Sequence, residues 1–230
     1  MKYIPTLFTA GIFSLLMTGC TSLQTTHSNL STEVKQQLST SEAIVAYFSK
    51  DAGEEACSCG STIDKGYSFV PVEHGYYRKL LGRDIQGRFL LQDFYQDSQK
   101  PQTDPFWVID PKGLNSFDIL YTDGLITAYH ENGKPSFSAT YRQGEQVGKA
   151  QSYYENGQLG AEYELTNQQT YVQKLWYVNG QPAADVISDY ENEHTLHEGK
   201  VWDDKGQLVD NDEQKSEIIS NIYKKIEQTE

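Results

Sequence analysis

From about residue 123 onward, apolar and polar positions alternate with a period of two, and the alternation is broken at regular intervals by the same pair of residues. The pairs are Asn132-Gly133, Asn156-Gly157, Asn179-Gly180 and a degenerate Lys205-Gly206, so that the glycines step by 24, 23 and 26 residues. An aromatic stands four positions before each glycine: Tyr129, Tyr153, Trp176 and Trp202. Two, four and six positions after it come Pro135, Phe137 and Ala139, then Leu159, Ala161 and Tyr163, then Pro182, Ala184 and Val186. Period-two patterning predicts strands. Asn-Gly between such strands predicts tight hairpins, because a two-residue type I′ turn needs positive φ at both central positions. That turn would set Tyr129 opposite Ser136, Tyr153 opposite Gly160 and Trp176 opposite Ala183, a large ring over a small partner each time. Both faces then carry apolar material, and the sheet must be covered or curved.

Residues 66–122 read as imperfect hairpins of the same kind. Gly87 to Tyr95 alternates, Gln96 to Thr103 turns, and Phe106 to Ile109 runs back. Further upstream, Ala43 to Phe48 is either part of a short helix or an opening strand. At the far end, Ile218, Ile219, Ile222 and Ile226 share one helical stripe within Asp212–Gln228, with Asn211 or Asp212 as N-cap. Such a helix is expected to cap the last hairpin and blunt its edge. The fold class is mainly β with a C-terminal α-helix.

The N-terminus is patterned differently. Lys2 precedes an apolar run from Leu7 to Met17, about half the ~20 residues that span a bilayer, which reads as a signal-peptide core and not a permanent span. The run ends in Leu16-Met17-Thr18-Gly19-Cys20, which resembles a bacterial lipobox, with Met17 where that family usually has Leu. The resemblance implies cleavage before Cys20, acylation of that cysteine with two or three chains, and a stable membrane anchor outside the cytoplasm. In enterobacterial lipoproteins an Asp after the cysteine tends to retain the protein at the inner membrane, so by that resemblance Thr21 favours the outer membrane if the host has two membranes. The chain then divides into a signal peptide (1–19), a polar tether (20–41), an N-terminal hairpin region (42–122), the repeats (123–210) and the helix (211–230). A flexible tether of ~20 residues reaches roughly 25 Å.

Charge narrows the partners. With 19 Lys+Arg and 32 Asp+Glu the net charge is −13. Loss of Lys2 with the leader makes it about −14, by 18 minus 32. No basic cluster interrupts this, so nucleic acid and anionic lipid surfaces are both disfavoured. The 16 tyrosines suit half-buried strand positions with one wet end.

The unit Tyr129-His130-Glu131-Asn132-Gly133-Lys134, followed by Tyr141, Gly144 and Gly148-Lys149, resembles the bacterial variant of MORN repeats (MORN-2 type, antitoxin-like). The likeness covers about residues 123–210 and fades along them: Leu165 replaces an expected Tyr, and the third unit carries an insertion before Gly199-Lys200. It implies an elongated, twisted antiparallel sheet of stacked β-hairpin repeats used for protein binding or tethering, with some members acting as antitoxins.

Candidate chemistry is sparse. Cys57 and Cys59, the only thiols left once Cys20 is acylated, are a candidate disulfide in an oxidising compartment, although so small a ring is strained. The alternatives are a labile redox pair or metal ligation with a distant His such as His74. His194 and His197, with Glu193 and Glu198, do not converge if they lie on a strand, where residues three apart face opposite ways. No nucleophile-base pair or phosphate loop is recognisable, so the chain is expected to be non-catalytic, with no cofactor and no metal. Tyr129, Tyr153, Trp176 and Trp202 form the best candidate contact stripe, unless they are a structural ladder covered by the curved sheet or by the C-terminal helix. The leading expectation is a membrane-anchored lipoprotein presenting its repeat surface to an unknown protein partner. An immunity or antitoxin-type protein, and a thiol-redox protein using Cys57 and Cys59, are the alternatives.

Overall fold

The computed structural model describes residues 42–50, 66–117, 119–166, 170–189 and 196–227. Eleven of its twelve strands form one antiparallel path in which each strand pairs with the next along the chain. They are β1 (Ala43–Phe48), β2 (Tyr76–Arg83), β3 (Phe89–Tyr95), β4 (Phe106–Val108), β5 (Thr122–Tyr129) and β6 (Pro135–Arg142), then β8 (Lys149–Tyr153), β9 (Leu159–Leu165), β10 (Thr170–Trp176), β11 (Pro182–Asp189) and β12 (Leu196–Val201). The short β7 (Glu145–Gln146) folds back on β6 alone. The ends of the path do not pair with each other, so the sheet is open. Ala43–Phe48 is thus the opening strand, and the predicted mainly β hairpin array with one C-terminal helix is present.

The helix α1 (Asp212–Glu227) begins where Asn211 Oδ1 accepts from Gln214 N at 2.9 Å. Asp212 and Glu213 in its first turn and Lys224 and Lys225 in its last complement the helix dipole. It buries Ile219, Ile222 and Ile226 against Tyr154, Ala161, Leu175, Ala183, Ala184, Val186 and Val201. Each such isoleucine contributes about 2 kcal/mol on leaving water. The helix lies across the face of β9, β10 and β11, with Val201 of β12, the last strand at the edge of the sheet, in the same core. That edge is partly closed by the chain itself, since Leu208 bridges Trp202 and Val209 N donates to Val201 O at 2.8 Å.

Strand register sorts the repeat half into two faces. The inner face, under α1, carries the row Ala128, Phe137, Ser152, Ala161, Leu175, Ala184, Val201. One residue along, the outer face carries Thr127, Ser138, Gln151, Glu162, Lys174, Asp185, Lys200. Along these two rows the inner positions are mainly apolar and the outer ones polar, the usual economy of an antiparallel sheet.

The N-terminal half is built otherwise. Every residue of β3 is buried. On the inner face Arg78 forms a two-pronged ion pair with Asp93, both bonds 2.7 Å, and donates to Gly113 O and Ser116 O at 2.6 Å each. The rings of Phe48, Phe106 and Phe117 surround its guanidinium at 5.0, 5.3 and 5.2 Å. Arg78 thereby pins the segment around the 3-10 turn Pro111–Leu114 onto the sheet.

Candidate functional site

The repeat turns place the candidate stripe, and they are not the predicted type I′ turns. In the first, Gly133 N donates to His130 O (2.8 Å) and His130 N to Lys134 O (2.9 Å), so the loop has three residues and starts one position earlier than predicted. Only Gly133 has positive φ (85°); Asn132 does not. This is a type I turn closed by a glycine bulge. Asn132 Oδ1 completes it by accepting from Lys134 N at 2.9 Å. The same bonds recur at Tyr154–Gln158 and Tyr177–Gln181. Two further turns, Asp84–Arg88 and Asp203–Gln207, keep the backbone bonds but use the leading aspartate as the side-chain acceptor.

The bulge shifts the register. Tyr129 stands opposite Pro135, Tyr153 opposite Leu159 and Trp176 opposite Pro182, in place of Ser136, Gly160 and Ala183. The small residues serve the inner face instead. A Cβ on Gly160 would come within 2.7 Å of Ile226 Cδ1 and 3.0 Å of Tyr154 Cε2, and Ala183 is fully buried in the helix core.

The residue that opens each Asn-Gly turn points inward and fastens its repeat to the next, and Tyr95 does the same from the end of β3. Tyr95 Oη donates to Tyr129 O (2.8 Å), His130 Nε2 to Tyr153 O (2.9 Å), Tyr154 Oη to Trp176 O (2.8 Å) and Tyr177 Oη to Trp202 O (2.8 Å). Every acceptor is the backbone carbonyl of a predicted stripe residue. Burial pushes the Tyr154 phenol up to about 12. Sequence reasoning singled out the aromatic row and passed over its neighbours, whose signal was an aromatic or His immediately after Tyr129, Tyr153 and Trp176.

The stripe itself faces outward. Tyr129, Tyr153, Trp176 and Trp202 are all half-buried, and each is flanked by inward-facing residues: Ala128 and His130, Ser152 and Tyr154, Leu175 and Tyr177, and, before Trp202, Val201. The helix therefore does not cover them. With Pro135, Leu159 and Pro182 between them they form one apolar ribbon across seven strands, roughly 29 Å long at strand spacing. Polar groups border it. Tyr129 Oη donates to Asp104 Oδ2 at 2.8 Å, and burial together with that bond pushes its phenol up to about 12. Tyr153 Oη donates to Gln151, Gln151 to Glu162, and Lys149 Nζ to Glu162 at 2.6 Å. The Lys149 ammonium holds the Glu162 carboxyl below its usual range.

The other candidates fare differently. Cys20, Cys57, Cys59, Glu193 and His194 lie outside the described residues, and His197 is described only as backbone in β12. His74 is exposed, with Nδ1 2.5 Å from Asp97 Oδ2. Among the described residues no three His, Cys, Asp or Glu side chains are grouped to hold a metal, and no helix is long and apolar enough to cross a membrane. No protein-family model matches the chain, and no curated protein matches it.

Proposed function

We propose that this chain is a bacterial lipoprotein, anchored outside the cytoplasm through acylated Cys20, whose MORN-like repeat sheet binds a protein partner along the outer aromatic ribbon. The lipobox-like Leu16–Cys20 supports the anchor. The observation that carries the binding reading is the placement of Tyr129, Tyr153, Trp176 and Trp202 on the face that α1 leaves open. Tyr and Trp contribute disproportionately to binding energy at interfaces, since they bury large area with little rotamer entropy. The flanking hydrogen-bonded groups would form the polar rim of such an interface.

Photo-crosslinking residues placed at Tyr153 and Trp176 test it in the membrane-bound chain. One shared adduct is expected from both positions, absent from Lys225 on the helix, and lost when Trp202 becomes Ala. Adducts of equal yield from Lys225, or none from the ribbon, would refute the reading. The anchor has a separate test. Cys20→Ser should abolish acylation and release the chain from membranes, and unchanged membrane retention would show the signal to be misread.

A further inference from the structure

The three Asn-Gly turns share one backbone but not one set of side-chain bonds. Asn132 Nδ2 donates to Glu155 O at 2.8 Å, and Asn156 Nδ2 donates to Val178 O at 3.0 Å, each reaching the second residue of the next turn. The corresponding acceptor for Asn179 is Asp204 O. Gln181 has taken it: with its amide oriented to satisfy both atoms, the Gln181 nitrogen donates to Asp204 O (3.0 Å) and its oxygen accepts from Gly206 N (2.8 Å). Asn179 therefore keeps the bond that closes its own turn, Gln181 N to Oδ1 at 3.0 Å, while its amide nitrogen has no acceptor among the described residues. All three asparagines are exposed to water.

We propose that Asn179-Gly180 is a site of spontaneous deamidation, converted ahead of Asn132-Gly133 and Asn156-Gly157. Glycine offers no side chain to hinder its own nitrogen. The Gly180 nitrogen, after losing its proton to solvent base, attacks Asn179 Cγ. The N–Cγ bond forms as Cγ–Nδ2 breaks, and ammonia leaves with the proton it needs from solvent. One water then opens the succinimide at either carbonyl, giving aspartate or isoaspartate. In each turn the attack requires the Asn side chain to rotate and the glycine N–H to leave its carbonyl. Asn132 and Asn156 must also surrender the bond to the next repeat, and Asn179 has none to surrender. One hydrogen bond of ordinary net strength corresponds to a rate advantage of roughly 2- to 12-fold. The isoaspartyl product carries the main chain through Cβ, which lengthens the loop by one atom beside Trp176.

The test is to age the full-length chain in mildly alkaline buffer, natively and in concentrated urea, and to follow the three Asn-Gly peptides by mass spectrometry. Expected is a native rate at Asn179 several-fold above the other two, with the gap closing in urea. Equal native rates, or faster loss of Asn132 or Asn156, would overturn the proposal. So would an Asn179 advantage of unchanged size in urea, which would trace it to the neighbouring residues and not to the missing bond.

Discussion

The two halves of this sheet hold together by opposite means. In the N-terminal half, the two-pronged Arg78–Asp93 pair sits in a cage of three aromatic rings and gathers β2, β3 and the Pro111–Leu114 segment around one point. In the repeat half no single residue has that standing. Small inner residues such as Ala161 and Ala184 let α1 approach, and three similar staples from His130, Tyr154 and Tyr177 tie each turn to the next, with Tyr95 joining the N-terminal half to the first. Concentrated stabilisation makes one site indispensable. Distributed stabilisation tolerates the loss of a unit, as expected where each repeat contacts mainly its neighbours.

Substitutions separate the two designs, and the largest effect is expected at Asp93. Asp93→Ala strands a buried guanidinium and should cost about 3–5 kcal/mol in denaturant unfolding. If it costs no more than the loss of one staple, the contrast between the halves collapses. Next comes Ile222→Ala, which opens a cavity between α1 and the sheet and should cost about 2–5 kcal/mol. Hydrogen exchange should then rise in β9 to β11 and leave β2 and β3 protected. Loss of protection in both halves would mean that the core is shared.

A smaller effect is expected from Tyr154→Phe, about 0.5–1.5 kcal/mol for the bond to Trp176 O. It has a pH signature. The phenol is neutral in the native state, with its pKa raised from 10.0 to about 12. Its contribution is complete below pH 10 and lost as pH rises through 12, because the unfolded chain releases the proton first. Unfolding midpoints measured across that window should fall less steeply in Tyr154→Phe than in the parent chain. Glu162→Gln is expected to matter least. The Lys149 end of its ion pair is open to water, which screens it, and the amide still accepts from one neighbour, so a loss under about 1 kcal/mol is expected in denaturant unfolding.

Much of the repeat half was legible in the sequence, because its structure is local. Asn-Gly at regular steps marked the hairpins, and the isoleucine spacing marked α1 with its Asn211 cap. The turn type was misread because the pair was taken alone. The loop is set by five residues, His130 to Lys134, and the side chain of Asn132 supports a turn in which only the glycine is left-handed. That difference moved every stripe partner by one position. The Arg78–Asp93 pair was not legible at all. Its members are 15 residues apart, and they meet only after β2 and β3 adopt a register displaced by the bulge between Leu80 and Gly82. The open face of the stripe was equally hidden, since amphipathic spacing shows that α1 must cover something but not which side of the sheet.

The staples also give the array a direction. Each of these four side chains donates forward, to a backbone carbonyl nearer the C-terminus. A unit is thus fastened by the one that follows it, as roof tiles are held by the course laid over them. Growth of such a chain by duplication is simplest in the interior, where a copied unit brings both a donor and a carbonyl. The final unit cannot be copied so freely: the turn at Asp203 opens with a side chain that binds only its own loop, and there the row stops.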